Sequence, residues 1–171
     1  MITAGLAKGF ADLEAAGLIG RRPRLIVVQP VGAAAIAAAL RSGARDITPV
    51  PGAASVADSL TVEAPRNALL CLRQVRATGG AGVIVGDRAI LESIPRLAGL
   101  TGVFAEPAAA AALAGLETAL EEGSVDRTER VVLVITGSGL KDTAAARRAV
   151  EMPDAIEPRL DAVAAALQIQ S

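Results

Sequence analysis

Residues 24–36 read RLIVVQPVGAAAI, a short β-branched apolar run that meets Pro30 and then gives way to small, helix-compatible residues. Leu25–Val28 has the length and branching of a buried strand, and Pro30, with no N–H to donate to a ladder, marks its end. From Ala33 to Leu40 the pattern is helical, with Gly43 as the stop. A strand leading at once into a helix is the repeating unit of a parallel α/β layer.

Working outward, the same alternation continues. Upstream, Leu6, Phe10 and Leu13 recur at helical spacing, and Gly17 and Gly20 end that helix. Downstream, residues 44–64 hold Pro49, Pro51 and Gly52 and have little periodicity, which predicts a long loop with one short strand or helical turn. Pro65 then suits the first turn of a helix carrying Leu69, Leu72 and Val75, closed by Gly79 and Gly80. Val83–Val85 reads as the next strand. Asp87 is placed to cap a helix bearing Ile90, Leu91 and Ile94, which Pro95 is expected to kink or end.

A brief strand at Val103–Ala105 is followed by Pro107, a favourable helix opener, before Leu113, Leu116 and Leu120. Residues 131–142, VVLVITGSGLKD, read as a strand over Val131–Ile135, a Gly-Ser-Gly turn and a helix start at Asp142. The tail predicts a helix near 143–150, a break at Pro153 and an amphipathic helix through Leu160, Val163 and Leu167. The order gives an α/β fold with a mostly parallel sheet flanked by helices, in a single unit spanning 1–171. No internal repeat or dividing linker stands out. Because the chain enters a helix almost immediately, the elements that would flank its first strand are expected to be missing.

Composition narrows the function. Apolar residues make up 52% of the 171, yet the aromatics are Phe10 and Phe104 alone, so stacking platforms for nucleic-acid bases have no support. The formal charge is −1 and the basic residues are scattered, RRPR at 21–24 being the densest cluster, which leaves no nucleic-acid footprint. The longest apolar run, Val31–Leu40, falls well short of the roughly 20 residues a membrane span requires. With no visible secretory leader, a cytoplasmic location is the default expectation.

There is no histidine and one cysteine, Cys71, which removes disulfide frameworks, the usual zinc sets and the serine-histidine or cysteine-histidine catalytic pairs. Cys71 itself reads as a packed helix position. No metal site is predicted.

The turn after Ile135 is the candidate binding edge. Ligands of parallel α/β sheets gather beyond the carboxyl ends of the strands, where Thr136 would stand, and Gly137 and Gly139 permit a close backbone approach. An ordinary strand-to-helix turn is the alternative for the same residues, as is a generic phosphate site at Gly137–Gly139 in an unrelated α/β protein.

Several segments together resemble one family: AGLAKGFADLEAAGLI at 4–19, RLIVVQPVGAAAI, SVADSLTVEAPRNALLCLRQVRATGG at 55–80, GVFAEPAAAAALAGL at 102–116 and VVLVITGSGLKD, with PDAIEPRLDAVAAAL at 153–167 similar to the closing segment. In order and spacing the chain resembles the carboxyl-terminal half of threonine synthase. The resemblance implies a pyridoxal-phosphate lyase of the tryptophan-synthase-β-like, fold type II group, of whose large domain this chain would be an incomplete carboxyl-terminal portion. TGSGLKD and FAEPAAAAALAGL are its more specific pieces. Ser138 stands where many members carry histidine, a departure that bears on the substrate rather than on the cofactor.

By resemblance, the hydroxyl of Thr136 faces the pyridine nitrogen of pyridoxal phosphate. A neutral hydroxyl can bond that nitrogen without enforcing its protonation as a carboxylate would. Glu106 is expected nearby, with a plain helix-start carboxylate as the competing role. The resemblance assigns no catalytic residue to this chain. The chemistry needs a lysine amine that links to the cofactor and moves protons, and neither lysine, Lys8 or Lys141, falls at that position. Arginine cannot replace it.

That lysine, the asparagine-containing substrate loop and the glycine-rich phosphate cradle would belong to a preceding half. Implied with them are an amino-acid substrate, O-phosphohomoserine giving threonine and phosphate, a missing amino-terminal partner half and an isolated chain without activity. A homodimer, a serine or threonine dehydratase and a non-catalytic stand-alone module remain open at this point.

Overall fold

The computed structural model describes residues 2–152 and 155–167. Two parallel strands, β1 (Ile26–Pro30) and β2 (Ala81–Val85), form the sheet, in the register Val27↔Gly82 and Val28↔Val83. Between them run α2 (Ala35–Ser42), the loop with a single 3-10 turn at Asp58–Leu60, and α3 (Ala68–Ala77). Before them lies α1 (Ile2–Ala15), and after them come α4 (Asp87–Thr101) and α5 (Pro107–Glu121). Two shorter α-helices, α6 (Thr143–Arg148) and α7 (Leu160–Ala166), follow them.

Both faces of the sheet are covered, as its β-branched composition requires. Side chains alternate along a strand, so Val27 joins Cys71 and Val75 of α3 and Ile36 and Leu40 of α2 on one face. Ile26, Val28, Val83 and Val85 lie on the other, against Ala111, Ala114 and Ala119 of α5. Two glycines make these layers close. A Cβ at Gly82 would stand 2.6 Å from the backbone oxygen of Ala37, and one at Gly115 would overlap the methyls of Val28. α1 packs on α3, and α4 packs on α5.

The polar ends are tied inside this frame. Gln29, buried at the end of β1, accepts through Oε1 from the backbone N–H groups of Ile36 (2.9 Å) and Ala37 (2.8 Å), so a side chain from the strand satisfies the open start of α2. α2 and α4 close on Gly43 and Gly102, both left-handed (φ 73° and 75°).

Several expectations are corrected. Pro95 does not end α4, which continues to Thr101. Asp87 does not cap it: Gly86 is the cap residue, and the Asp87 carboxylate instead accepts from Ser55 Oγ (2.5 Å) and the Val56 N–H (3.1 Å), fastening the long loop. Pro65 precedes α3 by a turn rather than opening it.

Val131–Ile135 is not a strand. Its burial alternates as a strand's does, Leu133 and Ile135 entering the cluster of Ile94, Leu97 and Leu113 while Val132 and Val134 face out, but no ladder joins it to a neighbour among the described residues. β-branched residues favour extended backbone; pairing needs a second strand, and β1 and β2 do not reach it. Val103–Ala105 likewise contributes just the isolated antiparallel bridge Ala105↔Ser138. The tail helix forms, yet Leu160 is 90% exposed and none of its residues is buried. The expected break at Pro153 lies outside the described residues.

Candidate functional site

Thr136 stands where the 131–135 segment gives way to the Gly-Ser-Gly turn, and backbone bonds hold that turn to the start of α5. The Glu106 N–H donates to the Gly137 carbonyl (3.0 Å), and the Gly139 N–H donates to the Phe104 carbonyl (2.9 Å). Both glycines stand out by close contact rather than by φ. A Cβ at Gly137 would lie 2.7 Å from Glu106 Cγ and closer still to its carboxylate, and one at Gly139 would run into the Phe104 ring. The turn ends in a 3-10 segment, Gly139–Lys141, after which Asp142 caps α6 by accepting from the Ala145 N–H (2.9 Å). The predicted helix start at Asp142 is therefore observed.

Glu106 precedes Pro107 at the start of α5, but its side chain caps nothing. Its carboxylate, 12% exposed, turns over Gly137 and pairs with Lys141 Nζ (3.2 Å). Sequence reasoning anticipated Glu106 near Thr136 and missed Lys141 as its partner. A glutamate ahead of a Pro-opened helix and a lysine just past a Gly-turn are each common, and only the antiparallel meeting of 105 with 138 joins them. Gln29, Ser55 and Asp87 also went unforeseen as organisers of the loops around the strand ends.

Beside this buckle is a cleft of about 340 Å³ between the 56–59 turn, the first turn of α5 and the Lys141–Asp142 turn. Asp58, Glu106 and Asp142 outnumber Lys141 in its wall. Such a lining repels a phosphate dianion and suits a cation or a neutral polar group. The hydroxyl of Thr136 is exposed and takes no hydrogen bond from or to another described residue, so it is available to a ligand atom.

The amines are both engaged. Lys8 Nζ pairs with Asp12 (2.5 Å) on the exposed face of α1, and Lys141 pairs with Glu106. Cys71 is buried in α3, and that burial pushes its thiol up from its ordinary value, which fits packing rather than nucleophilic work. Among the described residues no cluster of carboxylates, cysteines or histidines could hold a metal ion, and no helix is long and apolar enough to cross a membrane.

The sequence model of the pyridoxal-phosphate dependent enzymes matches residues 2–137. The chain belongs to this family. Among curated relatives, the threonine synthase of Methanocaldococcus jannaschii is 41% identical over 150 residues, covering 88% of this chain and 37% of that protein. The threonine synthase of Methanosarcina acetivorans is 35% identical, with 94% and 40% covered, and that of Mycobacterium leprae 33%, with 95% and 42% covered. The chain thus spans about two-fifths of the length of these relatives.

Among solved structures, the processed form of threonine deaminase isoform 2 from Solanum lycopersicum matches with a TM-score of 0.64 at 18% identity, over 84% of this chain and 39% of that one. A fungal L-serine ammonia-lyase from Rhizomucor miehei gives 0.59 at 18%, over 86% and 56%. These likenesses establish the fold as that of the fold type II pyridoxal-phosphate enzymes, the α/β parallel-sheet class expected from the sequence. The family implies pyridoxal phosphate. Within this chain Thr136 carries a neutral hydroxyl with no partner among the described residues, whereas the acidic cleft beside Glu106 does not suit a phosphate group.

Proposed function

We propose that this chain forms part of the cofactor pocket of a threonine-synthase-like lyase, which converts O-phosphohomoserine and water to threonine and phosphate. The carrying observation is the hydroxyl of Thr136, unpartnered among the described residues, on a turn pinned by backbone bonds to the start of α5. When bound, pyridoxal phosphate supplies an electron sink for carbanion chemistry. Thr136 would hold the pyridine nitrogen by donating from Oγ1. A hydroxyl keeps that nitrogen from being held fully protonated, as a carboxylate partner would hold it. The buckle between 104–106 and 137–139 supplies the rigidity such a contact needs.

This reading assigns the covalent amine and the phosphate cradle to enzyme sequence beyond these residues, because Lys8 and Lys141 are both committed to carboxylates and the cleft beside Glu106 and Lys141 is acidic. The isolated chain is then a wall without its reactive amine, and without turnover. The identities to threonine synthases, up to 41%, favour this substrate over those of the dehydratases, whose likeness to the chain is one of fold.

Complementation tests the proposal. The chain is mixed with pyridoxal phosphate and with the portion of the Methanocaldococcus jannaschii threonine synthase that lies outside the match, and threonine and phosphate are measured from O-phosphohomoserine. The expected result is turnover that depends on the chain and falls in T136V. Ammonia released from serine or threonine in place of threonine synthesis would favour a dehydratase. No cofactor binding in the mixture would make the chain a non-catalytic module, and a stoichiometric borohydride-reduced adduct on Lys8 or Lys141 would refute the assignment of the amine elsewhere.

A further inference from the structure

We infer that Glu106 and Lys141 are positioning residues for Thr136, an ion-paired clamp that holds the Gly137 turn at the height the cofactor ring requires. The inference rests on the reading of Thr136 given above and extends it to two side chains that touch neither ring nor substrate in that reading. Thr136 is followed at once by Gly137, and the absence of a Cβ there admits the Glu106 carboxylate against the backbone. That carboxylate is nearly buried, at 12% exposure, while its partner amine is 64% exposed and arrives from the far side of the same turn. The clamp therefore closes a short ring: backbone from Glu106 to Gly137, chain from Gly137 to Lys141, and the ion pair back to Glu106.

Backbone bonds alone do not explain the lysine. The Glu106 N–H and Gly139 N–H bonds already pair the two segments, yet a carboxylate with so little water around it costs free energy unless it has a partner. With Lys141 in place, the carboxylate stays folded over Gly137. Without it, Glu106 gains by swinging toward solvent, Gly137 loses the surface it rests on, and the adjoining hydroxyl of Thr136 is free to drift. The lysine also cancels a negative charge beside that hydroxyl, which keeps the ring-nitrogen contact a neutral one.

The variants K141M and K141R decide the matter. Lys141 is mostly exposed, so both should fold, K141M with a melting temperature lowered by no more than about 2–4 °C and K141R at the wild-type value. Two readouts are taken: hydrogen exchange at the Glu106 and Gly139 amides in the chain alone, and pyridoxal-phosphate affinity in the complemented mixture. An ion pair of this exposure corresponds to roughly a threefold effect. K141M is expected to raise both amide exchange rates and the cofactor Kd by about that factor, and K141R, which keeps the charge, to restore both.

Wild-type exchange and affinity in K141M would overturn the inference. Faster exchange with unchanged affinity would overturn it as well, since the pair would then be structural only. Wild-type protein that binds no cofactor in the mixture would refute the underlying reading of Thr136, and the exchange rates keep that failure distinct from a failure of the clamp.

Discussion

Substituting Gly137 by alanine separates stability from function at this site. The new Cβ would sit 2.7 Å from Glu106 Cγ and nearer to its carboxylate, against an ordinary contact beginning at 3.4 Å, so Glu106 must leave its place over the turn. It can do so cheaply. Gly137 is not among the glycines with positive φ, the obstructing group is the end of a flexible side chain, and the ion pair it abandons has a partner 64% exposed. Exposed pairs contribute about 0.2–1 kcal/mol, which bounds the loss of stability at about 1 kcal/mol, or a fall in melting temperature of about 2–4 °C for a chain this size.

The site should suffer more than the fold. If the displaced turn no longer presents Thr136, one neutral hydrogen bond is lost, worth about 0.5–1.5 kcal/mol and thus about a threefold to tenfold weaker cofactor affinity. Thermal melts followed by circular dichroism give the first quantity, and pyridoxal-phosphate titration of the complemented mixture gives the second. A loss of more than about 3 kcal/mol in stability would mean that Glu106 cannot yield. Unchanged cofactor affinity would mean that the turn's height does not govern Thr136.

Other perturbations test the frame around the site. Ser93 Oγ is buried in α4 with no hydrogen-bond partner among the described residues, so S93A should stabilise the chain by about 1 kcal/mol in urea unfolding; a net loss would expose a partner for that hydroxyl. At Gly115 alanine would gain about 1 kcal/mol of helix propensity but overlap the Val28 methyls, and the strand cannot retreat, so G115A should be net destabilising by about 1–2 kcal/mol in the same assay; wild-type stability would show that α5 can lift off β1.

Acid should loosen the clasp between β1 and the loop after α5. Glu129 lies below its usual 4.5, held there by the Asp126 N–H and then by Arg24, and Asp126 lies below its usual 3.8 through bonds from Thr128. Because both are lowered in the folded state, their stabilisation is complete above the higher of those values and disappears as pH falls through the lowered ones. Melting temperature is expected to drop over that range in the wild type and to drop less in R24A; parallel curves would remove Arg24 from the effect.

How far the sequence could be read depends on what each signal encodes. The 3.6-residue spacing of Leu6, Phe10 and Leu13 and the glycine at 43 specify helices and a stop, because the information lies within the segment itself, and these are observed. Leu25–Val28 and Val83–Val85 became strands because each found the other. VVLVI at 131–135 carries the same local signal, but a ladder is a property of two segments, and this one meets no partner among the described residues. Pro95 does not end its helix for a related reason: a proline removes one helix bond, and the packing of Ile90, Ile94 and Leu97 in the core outweighs it.

The site obeys the same division. The Gly-Ser-Gly turn and the helix start behind it were legible, since a glycine-rich break between an apolar run and Asp142 is a local pattern. The clamp was not, because Glu106 and Lys141 are brought together by a single antiparallel bridge at Ala105 and Ser138 that no periodicity announces. That bridge makes the two stretches one mechanical unit. The start of α5 is anchored in the core through Ala109 and Ala110, so Glu106 inherits the rigidity of the helix behind it. Thr136 therefore takes its position from α5 rather than from the sheet, and changes in how α5 packs on Val28 should reach the hydroxyl, although they lie in a different part of the fold.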